Sequence, residues 1–76
     1  MNNTRRKSLK AIIEQIETLS EELDSLRDEE QEAYDNLPEG IQDSERGKVM
    51  EEAISNLEDA LSSLEEATSS IEAATE

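Results

Sequence analysis

The sequence predicts an all-α protein: an antiparallel two-helix hairpin with heptad packing that dimerises into a four-helix bundle. Three observations carry this. Two long tracts repeat apolar residues at heptad spacing, a proline–glycine break separates them, and few residues remain to connect them.

The first tract is Leu9, Ile12, Ile16, Leu19, Leu23 and Leu26, spaced three and four apart, which places apolar side chains at a and d of a heptad. Glu30 interrupts the next a position, and Ala33 and Leu37 resume the register. Ile13 and Tyr34 stand beside this seam at e positions and widen it, which suits a bundle better than a lone two-stranded coil. Asn3 or Thr4 can cap the start by accepting a backbone N–H bond. Helix 1 is expected over about residues 4–36.

Pro38 ends that helix, because the residue before a proline is pushed out of the α region. Pro38-Glu39-Gly40 is a turn signal, and the hinge is expected over about 37–43. Asp43 or Ser44 then offers an N-cap for helix 2, expected over about 44–75. Gly47 is a poor helix former early in that run, a position that permits close backbone approach.

The second tract is an internal repeat. Met50, Leu57, Leu64 and Ile71 hold position a; Ala53, Ala60, Ala67 and Ala74 hold d; Ile54, Leu61 and Thr68 hold e. Alanine is a good helix former wherever it stands. Its strict spacing here also predicts that the two helices approach closely along the d stripe. So short a connection demands antiparallel neighbours, and the whole chain, 1–76, is read as one domain.

Charge is unevenly placed. Residues 1–10 carry Arg5, Arg6, Lys7 and Lys10 and no acid; the rest carries all 21 acids against Arg27, Arg46 and Lys48, a balance of −18, which leaves −14 for the whole chain. Four bases have the wrong sign for the start of their own helix. In an antiparallel hairpin they lie beside the last turns of helix 2, and they are expected to act as counter-charge to Glu65, Glu66, Glu72 and Glu76. The alternative, a nucleic-acid arm, lacks interleaved aromatics and stands against the acidic remainder.

Composition excludes several classes. The chain has no cysteine and no histidine, which removes disulfides and the usual zinc and transition-metal ligands, so no cofactor is expected. Paired carboxylates such as Glu21–Glu22 need a shaped cleft to act as acid and base, and a small hairpin offers none, so the chain is read as no enzyme. Around the hinge, Asp35, Glu39, Asp43 and Glu45 fail the calcium-loop pattern: Leu37 and Arg46 stand where ligands belong. No apolar run approaches the roughly 18 residues of a membrane span, and no apolar segment follows the basic start as in a signal peptide.

What remains is surface. Helix 2 repeats an acidic pair at Glu51–Glu52, Glu58–Asp59 and Glu65–Glu66. Like charges three and four apart weaken a helix, so the field either serves attraction to a basic surface or only keeps the protein in solution. The segment Asp28–Gly47 around the hinge holds the only aromatic, Tyr34, read either as an interface anchor or as a plug for the end of the hairpin under Leu37 and Ile41.

The stretch Asp28–Gly47, followed by Met50-Glu51-Glu52-Ala53-Ile54, resembles small acidic proteins carried by phages and prophages of Gram-positive bacteria, over roughly residues 24–66. The resemblance implies a setting, a phage accessory protein in the cytoplasm of a bacterial host, and by analogy an inhibitor of host defence of the anti-CRISPR or DNA-mimic type. It carries no functional residues across. The resulting expectation is a non-enzymatic protein-binding protein that occupies a basic surface on a defence or nucleic-acid enzyme, with no direct nucleic-acid or membrane binding. Partner contacts are expected from Glu51, Glu52, Glu58, Asp59, Glu65, Glu66 and Tyr34. Core and self-association are expected from Leu9, Ile12, Ile16, Leu19, Leu23, Leu26, Met50, Ile54, Leu57, Leu61, Leu64 and Ile71. The alternative is a structural or scaffolding self-associating bundle.

Overall fold

The computed structural model describes residues 1–76. Three helices follow in order: α1 (Asn3–Asp35), α2 (Glu39–Gln42) and α3 (Glu45–Ala74). Helices α1 and α3 pack antiparallel, and α2 is a single turn against α3. The molecule is a rod, 58 × 15 × 12 Å over its Cα atoms. Its radius of gyration is 17.3 Å, against about 11 Å for a globular chain of this length.

Helix α1 starts earlier than expected. Asn2, not Asn3 or Thr4, is the N-cap, and its Oδ1 accepts the Arg5 backbone N–H at 2.8 Å. The helix ends as the proline dictates: Asn36 is the C-cap, and the Leu37 N–H turns back to the Tyr34 carbonyl at 3.1 Å. The expected plain hinge contains α2. Pro38 caps it, and its carbonyl accepts the N–H of Ile41 at 2.9 Å. Ser44 is the N-cap of α3 by backbone geometry, but its hydroxyl donates back to the Ile41 carbonyl instead of accepting from α3.

The heptad period holds, but the seam lies one position over. Along α1 and just past its end, the residues that lose solvent include Arg6, Leu9, Ile13, Ile16, Ser20, Leu23, Arg27, Glu30, Tyr34 and Leu37. On α3 and at its C-cap they include Gly47, Met50, Ile54, Leu57, Leu61, Leu64, Thr68, Ile71 and Thr75. Both sets step by three and four along positions a and e, not a and d. Ile13 and Ile54, both at e, are the most buried apolar residues. The d residues expected in the seam lie outside it: Ile12 is 43 %, Leu19 55 % and Leu26 55 % exposed. The alanine stripe likewise flanks the contact. Ala53 and Ala60 are half-buried, and Ala67 and Ala74 are exposed, so close approach along d is not what joins α1 to α3.

The physical reason lies in the partner helix. Around a helical wheel, d flanks position a on one side and e flanks it on the other. In an antiparallel pair the two d stripes fall on the same face of the hairpin and the two e stripes on the opposite one. The hairpin therefore packs a with e or a with d, not both fully. On α3, Ile54 and Leu61 at e bring more apolar surface than alanines at d, so burying e gains more.

Candidate binding surfaces

The a/e seam divides the rod into two faces of opposite character. One face carries the b positions of both helices. There Glu17, Glu21 and Asp24 of α1 and Glu58 and Glu65 of α3 line an open groove with Ser20, Leu61, Ser62 and Thr68. Arg27 is its only cation. The Arg27 guanidinium holds Asp24 at 2.6 Å and Asp28 at 3.0 Å, the only ion pairs in the molecule. The hydrogen bond to Asp28 raises the Arg27 pKa above its ordinary value; partial loss of solvent opposes this, and the charges of Asp24, Asp28 and Glu58 reinforce it. Every other acid lacks an ion pair, so the groove keeps a strong negative field.

The acidic pairs of α3 divide between the groove and its flank. Glu58 and Glu65, at b, point into the groove. Glu66 joins Glu65, Ser62, Ser69 and Ser70 on a second, outer patch. Glu52 and Asp59 are exposed at c and stand outside the groove. Glu51 lies at the hinge end, where the Tyr34 hydroxyl donates to its carboxylate. That bond raises the Tyr34 pKa above its ordinary 10.0, with partial loss of solvent and the charges of Glu51, Asp43 and Asp35 adding to it. Tyr34 is half-buried, and its backbone carbonyl accepts the Gln42 side-chain amide at 3.1 Å, so the residue clamps the hinge to both helices. Ile41, expected to fold over it, is 38 % exposed.

The α1 side of the groove was missed by sequence reasoning. Glu17, Glu21 and Asp24 are as much part of it as the α3 acids, and the signal was present for Glu17 and Asp24, which share the b position with Glu58 and Glu65. It was hidden because the seam was centred on a/d, which turns the b positions outward.

The basic start does meet the end of α3, but through a different group. Arg6 Nε donates to the Thr75 carbonyl at 3.1 Å. No ion pair joins Arg5, Arg6, Lys7 or Lys10 to Glu65, Glu66, Glu72 or Glu76. The counter-charge therefore addresses the negative end of the α3 dipole, where cations are favoured.

The opposite face carries the d positions: Ile12, Leu19 and Leu26 on α1, and the alanines on α3. Flanking the alanines at g are Val49, Asn56, Ser63 and Ser70, none of them charged. No group of three or more acids is placed to hold a metal ion, and no helix is long and apolar enough to cross a membrane. No protein-family model, curated protein or solved structure matches the chain.

Proposed function

We propose that this chain is a non-enzymatic binding protein whose acidic groove occupies a basic, nucleic-acid-binding surface on another protein, and that it works as a dimer of hairpins forming a four-helix bundle. One observation carries the reading: acids from both helices converge on one face, with Arg27 alone to offset them. A solubility coat needs no such convergence.

Charge density refines the partner. A net −14 over 58 Å is about one charge per 4 Å. One nucleic-acid strand carries a charge per roughly 3.4 Å and a duplex one per roughly 1.7 Å. Within the dimer each hairpin presents one such rod, so the groove of each approaches a single strand, and a basic surface that takes single strands suits it better than a duplex-wide cleft. The phage setting implied by the sequence resemblance, with an anti-defence role in the bacterial cytoplasm, is one in which such a decoy is useful.

A second reading, a structural bundle, draws on the exposed Ile12–Leu19–Leu26 stripe. Salt separates the two, because charge-pair contacts weaken as ions screen them whereas apolar contacts do not. The test is capture of partners from bacterial lysate on the immobilised protein, followed by stepped salt elution. The decoy reading expects a nucleic-acid-handling protein released by moderate salt and displaced by a single-stranded oligonucleotide. Recovery of the chain's own copies alone, unaffected by salt, would favour the structural bundle.

A further inference from the structure

The apolar d face has no partner within the hairpin, and we infer that it is the contact surface for a second copy of this chain, related by a twofold axis that passes beside Leu19. This deepens the self-association proposed above by assigning the face and the arrangement.

Area is the first argument. A folded monomer of 8.5 kDa ordinarily exposes about 4,650 Å². This chain exposes 5626 Å², so the excess is about 1,000 Å², comparable to the roughly 800 Å² that each partner loses in a standard interface. Only Ile13 and Ile54 form a buried apolar core, and no side chain is fully buried, so the hairpin alone is short of the burial a stable fold needs.

Register is the second. The stripe Ile12, Leu19, Leu26 is centred on Leu19, and the stripe Ala53, Ala60, Ala67, Ala74 is centred between Ser63 and Leu64. Extrapolating along the pair from the Tyr34–Glu51 bond places Leu19 level with Glu66; extrapolating from the Arg6–Thr75 bond places it level with Ser62. The two stripes therefore share one midpoint along the rod. A twofold axis through that midpoint, perpendicular to the rod, lays α1 antiparallel on α1 of the second copy and α3 antiparallel on its α3. Both contacts are then in register, as an isologous interface requires.

Charge is the third, and it sets the orientation. With the axis at Leu19, Arg5, at d, stands level with Ala33 of the second copy, beside that copy's Glu29 at g. The basic start of each chain thus meets the acid-rich stretch that includes Asp28, Glu29, Glu30, Glu32 and Asp35 on the other. The reverse orientation, with both hinges at one end, would bring those acids together. The d face is also the one long face free of the acidic groove, so the dimer leaves both grooves open.

Sedimentation and light scattering test this, with helix content followed by circular dichroism. The expected particle is twice 8.5 kDa at micromolar concentration. Leu19→Glu, at a position already half exposed in the hairpin, is expected to yield a helical monomer. Ser25→Glu, which adds the same charge at an exposed position off the d face, is expected to remain dimeric. The chain has no cysteine, so Leu19→Cys gives a single thiol on the axis, and mild oxidation is expected to cross-link most of the protein as a dimer. A wild-type monomer would overturn the inference together with the self-association reading. A dimer that survives Leu19→Glu would overturn this face while leaving self-association in place. A dimer lost with Leu19→Glu but not cross-linked through Leu19→Cys would overturn the twofold arrangement.

Discussion

Gly47 of α3 lies directly against the backbone of Gln42 in α2: a Cβ at position 47 would stand 1.9 Å from the Gln42 carbonyl oxygen and 2.5 Å from its carbon. No real side chain fits there, and the obstacle is backbone, which cannot swing aside. The glycine that reads as a flaw in the helix is what lets the hinge fold down onto α3.

Gly47→Ala is therefore expected to lift α2 away and destabilise the fold by about 1–3 kcal/mol, the usual range for overpacking. Gly40 is the control. A Cβ there meets nothing within 4 Å, and its φ is not positive. Gly40→Ala is expected to be neutral or stabilising by about 0.4–1 kcal/mol, through reduced freedom of the unfolded chain. Urea unfolding of both variants checks the pair; equal effects would show that the close approach does not exist.

The Tyr34–Glu51 bond predicts a visible titration. The bond holds the phenol in its protonated form, so the folded pKa is raised. The stability it contributes is complete below the unfolded value near 10 and is lost as pH rises through the folded pKa. Phenolate absorbance is expected to appear at higher pH in the folded protein than in urea. Glu51→Gln, which keeps an acceptor but removes the charge, is expected to bring the folded value back toward 10. Identical titrations in buffer and in urea would contradict the clamp.

At the other end, Arg6 closes the rod through the Thr75 carbonyl. Arg6→Ala is expected to cost about 1 kcal/mol locally, as for one hydrogen bond. Hydrogen exchange in the last turn of α3 should speed up several-fold, with the middle of the helix unchanged. A uniform change along α3 would mean that Arg6 acts on global stability and not on the terminus.

Acid pairs repeat every heptad of α3, ~10.5 Å along the axis, which is about one Debye length at 0.1 M salt. With only Arg27 in ion pairs, repulsion dominates the surface. The melting temperature is expected to rise with added sodium chloride, and with Lys substituted for Glu58. Stability that falls with salt would show that attraction, not repulsion, governs the folded state.

The period, the hinge and the antiparallel pairing were all legible in the sequence, because apolar spacing and Pro38 act locally. The choice of seam was not. On α1 the d residues Ile12, Leu19 and Leu26 are more apolar than Ser20 and Arg27 at e, and taken alone α1 would bury d. On α3 the order reverses. Only the pairing of the two helices decides, and each helix read singly points a different way. The same displacement concealed the groove, since Glu17 and Asp24 face Glu58 and Glu65 only once e is buried. Helix α2 was hidden for another reason: one helical turn following a proline has no periodicity to read.

In the proposed function the convergent acids, and not net charge, engage the partner. The most direct measurement compares two double reversals of equal charge in binding to the captured protein at fixed salt. Glu58→Lys with Glu65→Lys alters the groove; Asp59→Lys with Glu66→Lys alters its outer flank. The groove pair is expected to weaken binding at least about ten-fold more than the flank pair, ~1.4 kcal/mol, with helix content unchanged in both. Equal losses would reduce the acidic surface to a diffuse field and contradict the account.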